Sequence, residues 1–249
     1  MKLSIVIPTY NEQKTIKELI RYVETVPYPV DYEIIVVDDC SIDRTYEREI
    51  LLRLKDNHHH VKLFRNGSNQ GKGASVRRGI GYATGDIVII QDADTEYDPH
   101  DIPNVIEPIL KGDADVVYGS RFLSQSRPEG MSFLSFIANK TLTWLTNFLY
   151  GTHLTDMETC YKAVRRSVVH DLALTARRFD FEPEITVLLA KKGVRIQEVP
   201  IHFRGRGYKE GKKVRAKDFF WALRVLVKYK VMRETVDHHS CLQRIPHGS

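Results

Sequence analysis

Cysteine is scarce in this 249-residue chain, which holds only Cys40, Cys160 and Cys241. The three form no CxxC pair and no even framework. A disulfide-stapled fold is therefore not expected, and a reducing, cytoplasmic setting is. Long hydrophobic runs are also missing. No stretch reaches the roughly 18 uninterrupted apolar residues of a membrane span. The run from Leu3 to Ile7 is too short for the core of a secretion signal. The chain has no internal repeat and no low-complexity linker. Acidic residues are outnumbered, 32 against 37 Lys and Arg, for a net charge of +5. The pI near 9.0 favours anionic partners such as nucleotides, lipid phosphates or a membrane surface, and nucleic acid is not expected among them. With 42% hydrophobic and 28% charged residues, the composition is that of one globular α/β domain with a sizeable core.

What is present centres on the stretch Asp86-Ile87-Val88-Ile89-Ile90-Gln91-Asp92-Ala93-Asp94-Thr95-Glu96. Ile87 to Ile90 form a continuous apolar run, as in a parallel strand covered on both faces. Asp92, Asp94 and Glu96 follow at alternate positions. On an extended chain these point the same way, so the three carboxylates are expected to converge on one hard cation. Oxygen-only ligands suit Mg²⁺ or Mn²⁺, and open α/β sheets place their ligands at strand ends.

The rest of the chain alternates strands and helices. Leu3 to Pro8 is a first strand ended by Pro8, and Ile16, Leu19, Ile20 and Val23 mark a helix with Asn11 or Thr9 as its cap. Glu33 to Val37 is a second strand, followed by a helix capped by Ser41 or Asp43 and carrying Ile50, Leu51 and Leu54. Val61 to Phe64, then a helix to about Ala83, then Ile102 to Leu110 as helix and Asp115 to Arg121 as strand, complete the pattern. This order implies a mostly parallel sheet with right-handed crossovers, its polar motifs gathered along one edge. The loop from Gly67 to Gly73 fits neither a P-loop nor a dinucleotide fingerprint: three residues separate Gly67 from Gly71-Lys72, and Gly73 stands where the hydroxyl belongs. Lys72, near a helix N-terminus, remains a candidate anion contact.

The order Ile-Pro-Thr-Tyr-Asn-Glu (7–12), Val-Val-Asp-Asp-x-Ser (36–41), Asn-x-Gly-Lys-Gly (69–73), Asp-Ala-Asp (92–94), Gly-Ser-Arg-Phe (119–122) and Glu-Val-Pro-Ile (198–201), with Arg206 and Lys212 beyond, resembles family 2 glycosyltransferases of the GT-A fold. Among them it is most similar to the branch of dolichol-phosphate mannose synthases and bacterial polyprenyl-phosphate glycosyltransferases. The resemblance covers residues 3 to about 230. It implies a Rossmann-like, mostly parallel sheet flanked by helices, with a C-terminal amphipathic helix. It further implies that Pro8, Tyr10, Glu12, Val37 and Asp39 contact the nucleotide, that Asp92, Ala93 and Asp94 hold the diphosphate and a Mg²⁺ or Mn²⁺ ion, and that Arg121, Arg206 and Lys212 face the phosphates of donor and acceptor. Glu96 stands where a relative often carries a metal-touching glutamine.

The residue types suit transfer of a sugar from a UDP- or GDP-linked donor to a polyprenyl (dolichyl or undecaprenyl) phosphate. The leaving nucleoside diphosphate gains charge, which a divalent ion and fixed cations stabilise. A phosphomonoester, with a second pKa of about 6, is largely dianionic at neutral pH and needs cations more than a base. Arg206, Lys212 and Lys213 meet that demand. A hydroxyl acceptor on a glycan or lipid is the alternative and needs a general base. Asp156 is its first candidate, with Glu158, Glu182 and Glu184 behind it. Direct attack inverts the anomeric carbon. A non-enzymatic nucleotide-binding, membrane-associated protein is the remaining alternative, and the intact Asp92/Asp94 pair argues against it.

Met131 to Tyr150 reads as an interfacial or groove-lining helix, and Arg215 to Met232 as a basic amphipathic helix with Phe219, Phe220, Leu223, Leu226 and Val227 near one face. Either could rest on an anionic membrane, which places the protein peripherally at the cytoplasmic membrane face. One domain is expected over 1–233, with a nucleotide-sugar half to about 121 and an acceptor half from about 122, then a disordered tail over 234–249. His58-His59-His60 reads as a solvated turn.

Overall fold

The computed structural model describes residues 1–55, 60–205 and 216–232. His58, His59, Arg206, Lys212, Lys213, Arg215 and the tail lie outside the described residues. The elements run β1 (Lys2–Thr9), α1 (Ile16–Glu24), β2 (Asp31–Asp38), α2 (Thr45–Lys55), β3 (Val61–Arg65), α3 (Lys72–Tyr82), β4 (Ile87–Ile90), a 3₁₀ turn (Pro99–Asp101), α4 (Ile102–Lys111), β5 (Val116–Ser120), α5 (Arg121–Ser124), α6 (Phe133–Tyr150), β6 (Lys162–Arg165), α7 (Arg166–His170), α8 (Phe181–Lys191), β7 (Ile196–Pro200) and α9 (Ala216–Val231).

The seven strands lie in the order β3-β2-β1-β4-β6-β5-β7. All neighbours are parallel except β6, which runs against both β4 and β5. The apolar runs explain the centre of the sheet. Leu3, Ile5, Val6 and Ile7 of β1, Ile34 to Val37 of β2 and Ile87 to Ile90 of β4 are all buried, with helices available on both faces. Each such side chain contributes roughly 1.5–3 kcal/mol by leaving water. The chain builds outward from β1 to β2 and β3, then returns to the other side of β1 as β4. The crevice between β1 and β4 is therefore the switch point, where open α/β sheets bind ligands.

Several local expectations change. Pro8 does not end β1; it pairs in register with Val37, and Thr9 continues the strand. The residue before α1 is Thr15, not Asn11 or Thr9. Asp43 does mark the start of α2, its Oδ1 accepting from the Thr45 amide at 2.9 Å. The helices α6, α8 and α9 pack on one another. On α9 the aromatic and aliphatic residues do not share one face: Ala222 and Leu226 are buried, whereas Phe220 and Val227 are exposed beside Trp221.

Candidate active site

The ends of β1, β2, β4 and β5 open onto one cavity of about 590 Å³, within the size range of small-molecule sites. Pro8, Tyr10, Glu12, Asp39, Lys72, Asp92, Ala93, Asp94, Glu96 and Arg121 all line it, so ten positions singled out from the sequence meet in one place. Val37 does not. Its side chain is fully buried and is turned toward α3, where a Cβ on Gly79 would lie 3.4 Å from it. Gly205 and Asp218, which flank the segment carrying Arg206, Lys212 and Lys213, also line the cavity.

Asp39 organises the glycine loop. Its Oδ1 accepts from the Gln70 amide (2.9 Å) and Asn66 Nδ2 (2.7 Å), and its Oδ2 from the Gly71 amide (2.7 Å). Gly71 has φ +96°, and a Cβ there would meet the Arg177 carbonyl oxygen at 2.3 Å, so no other residue fits. The loop delivers Lys72 as the first residue of α3. The ammonium pairs with Asp92 Oδ1 and Glu182 Oε1, each at 2.8 Å. Burial works against this charge, but Asp92 and Glu182 outweigh it and hold the Lys72 pKa well above its ordinary value. Lys72 is thus shared between two carboxylates.

The acidic arm differs from expectation in its shape. The strand stops at Ile90, and residues 93–96 bend. Asp94 Oδ1 turns back to accept from the Glu96 amide at 3.1 Å. The alternation rule applies only to an extended chain, so it does not carry over to this bent segment. Among the described residues no three His, Cys, Asp or Glu side chains form a group that could hold a metal ion. The donor chemistry still suits a hard divalent cation. Mg²⁺ commonly takes one or two carboxylates and completes its shell with phosphate oxygens and water, and Asp92, Asp94 and Glu96 all line the same cavity. Charge argues in the same direction. The described lining residues include eight carboxylates (Glu12, Asp39, Asp92, Asp94, Glu96, Glu158, Glu182 and Asp218) and three cations (Lys72, Arg121 and Arg178), so an anionic ligand entering here needs positive charge brought with it.

Asp156, expected as the first candidate for a general base, has another task. It is fully buried and forms a fork with Arg121: Nε donates to Oδ2 and Nη2 to Oδ1, both at 2.7 Å, and the Arg121 amide donates to Oδ2 at 3.0 Å. Both oxygens are committed to a buried guanidinium, so the carboxylate positions Arg121 rather than taking a proton. Burial disfavours the Arg121 charge, and the Asp156 carboxylate overcomes this and raises its pKa. Glu198, on β7, fixes the loop from below by accepting from the amides of Thr155 (2.7 Å) and Asp156 (3.0 Å). Glu184 is likewise occupied, by the Thr175 and Ala176 amides, the Thr175 hydroxyl and the Tyr229 hydroxyl. Of the four base candidates, Glu158 and Glu182 alone line the cavity. Burial and the neighbouring Glu182 raise the Glu158 pKa above the usual carboxylate range.

Sequence reasoning did not single out Arg178, Phe179, Tyr97, Asn139 or Asp218, which also line the cavity. Asn139 sits on α6, the helix read as interfacial or groove-lining, and a polar residue interrupting its aromatic and aliphatic run was the one available signal. Nothing local marks Arg178 and Phe179; they arrive because the 175–178 segment packs on the glycine loop, the Arg177 carbonyl accepting from the Ala74 amide at 3.1 Å.

Comparison with known proteins bears on this arrangement. The dolichol-phosphate mannosyltransferase of Pyrococcus furiosus is 32% identical over 235 residues, which is 94% of this chain and 64% of that protein. The chain therefore spans just under two-thirds of that relative's length. The glucosyl-3-phosphoglycerate synthase of Mycobacterium tuberculosis, solved in complex with uridine diphosphate, superposes with a TM-score of 0.71 at 20% identity, covering 94% of this chain and 82% of that one. The mannosyl-3-phosphoglycerate synthase of Rubrobacter xylanophilus gives 0.71 at 19%, covering 92% and 73%. These structures share the GT-A fold with this one. The family model for glycosyl transferase family 2 matches residues 4–173, which takes in β1, the glycine loop, the acidic arm, Arg121 and Asp156, and the chain belongs to that family.

Proposed function

We propose that this protein is a metal-dependent inverting glycosyltransferase that moves a sugar from a UDP- or GDP-linked donor to a polyprenyl phosphate. The observation that carries the lipid acceptor is the two-sidedness of α6. Ser135 and Asn139 line the cavity, while Phe133, Leu134, Ile137, Trp144 and Phe148 of the same helix are exposed, with Trp144 stacked on Phe148. Trp221, Phe220 and Val231 on α9, which packs on α6, are exposed as well. An exposed patch of this kind marks a contact surface, and aromatic rings suit the headgroup level of a bilayer. A phosphate on a membrane-embedded chain would reach the cavity along α6. Among the described residues no helix is long and apolar enough to cross a membrane, so the contact proposed is peripheral, at the cytoplasmic face. The similarity to a dolichol-phosphate mannosyltransferase supports the same acceptor class.

The donor nucleotide lies against Pro8, Tyr10, Glu12 and the Asp39-pinned loop in this reading. Asp92, Asp94 and Glu96 would hold a Mg²⁺ or Mn²⁺ ion, which neutralises charge on the departing diphosphate when bound. Arg121, fixed by Asp156, supplies a preorganised cation in a site sheltered from water. Arg206, Lys212 and Lys213, outside the described residues, are assigned to the acceptor phosphate. An acceptor phosphate oxygen attacks the anomeric carbon, the bond to the diphosphate oxygen breaks, and the configuration inverts. A hydroxyl acceptor would need a base; Asp156 and Glu184 have their oxygens engaged, which leaves only Glu158 and Glu182 of the four candidates for that role. The test is transfer of radiolabelled sugar to undecaprenyl or dolichyl phosphate, the corresponding free alcohols, and 3-phosphoglycerate. Transfer to the lipid phosphate is expected; transfer only to an alcohol or to phosphoglycerate overturns the reading.

A further inference from the structure

Two carboxyls on the cavity wall have no part in the reaction just described. Glu158 lies in the loop leading into β6, and Glu182 is the second residue of α8. Each has one enclosed oxygen, Glu158 Oε1 and Glu182 Oε2, without a hydrogen-bond partner. Glu182 is only 5% exposed. They are close enough that Glu182 is the chief charge acting on Glu158.

The nearby cations are already engaged, and none reaches the two enclosed oxygens. Lys72 bridges Asp92 and Glu182 Oε1. Lys162 donates to the carbonyls of Met157 and Thr159 and sits 4.4 Å from the centre of the Tyr118 ring. Arg121 is forked onto Asp156. An enclosed polar atom left unmatched is costly, and such an imbalance beside a cavity asks for a partner that enters from the cavity, water or ligand.

The chemistry of the pair selects that ligand. A phosphate would meet two carboxyls whose neighbouring cations, Lys72, Lys162 and Arg121, are already committed. A second metal ion would compete with the Lys72 ammonium already between Asp92 and Glu182. A neutral polyol meets neither objection, because each of its hydroxyls can donate to a carboxyl oxygen and accept from a protonated one. We propose that Glu158 and Glu182 form the subsite for the sugar ring of the donor, taking its hydroxyls as hydrogen-bond partners and so deciding which sugar is accepted. This rests on the glycosyltransferase reading above and adds to it the residues that read the sugar. Its placement is consistent: the pair adjoins Lys72 and Asp92, at the diphosphate end, and Arg121–Asp156, where the acceptor arrives.

The experiment separates sugar from nucleotide. Binding of UDP and GDP, and of UDP-glucose and GDP-mannose, is measured by calorimetry with Mn²⁺ for the wild type, Glu158→Met and Glu158→Gln, together with transfer kinetics on donors lacking one ring hydroxyl each. Glu158→Gln keeps the shape and one acceptor oxygen, and a native thermal melt for it controls for folding. The expected result is that Glu158→Met leaves nucleoside diphosphate affinity within about twofold and lowers kcat/KM for the intact donor roughly 10- to 100-fold, the range for a lost hydrogen bond to a charged or paired group. One deoxy donor should be discriminated by the wild type and no longer by this variant, and Glu158→Gln should retain most of the discrimination. Equal loss of diphosphate and nucleotide-sugar binding, or an unchanged preference among deoxy donors, overturns the proposal. A wild type that binds neither nucleotide nor nucleotide-sugar refutes the underlying glycosyltransferase reading, a separate outcome.

Discussion

Replacing Asp156 by Asn distinguishes a brace from a base. Asp156 is fully buried and accepts three hydrogen bonds from Arg121, which is itself 7% exposed. The amide oxygen of Asn can keep part of that geometry, but the negative charge is lost and the guanidinium is left buried without its counter-ion. Breaking one partner of a buried pair typically costs about 3–5 kcal/mol. For a chain of this size each kcal/mol lowers Tm by about 2–4 °C, so a drop of roughly 6–20 °C is expected. Transfer should fall as well, because Arg121 loses its fixed place in the cavity wall. Arg121→Lys should share part of the defect, since an ammonium keeps the charge without the fork. The assays are a thermal melt and steady-state transfer on the purified chain. An Asp156→Asn variant with native Tm and a loss of about 10²–10⁴-fold in kcat, the contribution of a general base, would refute the argument and restore Asp156 as the proton acceptor.

Asp94→Ala and treatment with EDTA should each abolish nearly all transfer while circular dichroism stays native; full activity in either case removes the metal from the mechanism. Gly71→Ala should destabilise the glycine loop and raise KM for the donor, because a left-handed φ and a 2.3 Å approach to the Arg177 carbonyl both oppose a Cβ; an unchanged KM and melt contradict this. Burial is the main reason that Glu49 is raised from 4.5 to about 8, against the lowering effect of the Thr9 hydroxyl. Between those values the folded chain holds a proton that the unfolded chain has released, so stability falls as pH rises from about 4.5 to 8 and levels off beyond. Glu49→Gln should flatten that part of the urea-denaturation profile, and an identical slope in both proteins argues against it. Trp144→Ser with Phe148→Ser should weaken flotation with anionic liposomes, and wild-type flotation should weaken with salt; undiminished flotation of the variant moves the membrane contact off α6.

Much of the fold was legible because the central strands announce themselves. Leu3 to Ile7, Ile34 to Val37 and Ile87 to Ile90 are apolar runs that only a strand covered on both faces explains. β6 was not legible: Lys-Ala-Val-Arg at 162–165 has charge at both ends, and Lys162 becomes interior only through carbonyls and a ring supplied by its neighbours. The acidic arm was found, but its direction was not, since a side chain that turns back to its own backbone breaks the alternation of a strand. The task of Asp156 was hidden for a different reason. Its partner Arg121 lies 35 residues away, and no spacing rule pairs residues across a helix and two loops. The residues that crowd together at the switch point were recognisable one by one; which carboxylates already had partners was decided by packing.

The antiparallel insertion of β6 also bears on how the chain comes into being. Residues 162–165 hydrogen-bond to β4 through Ile87 to Ile89 and to β5 through Val116 to Tyr118, strands synthesised long before them. Until β6 emerges, both neighbours present unsatisfied edges, the kind that pair with other chains. A nascent chain ending near Ser120 therefore holds the residues at the ends of β1, β2 and β4 on an incomplete scaffold, at the stage when chaperone capture and aggregation compete with folding. A gene split between Ser124 and Phe133 would yield two fragments that regain the seven-stranded sheet only by complementing one another, because β4 and β5 of the first are joined through β6 of the second.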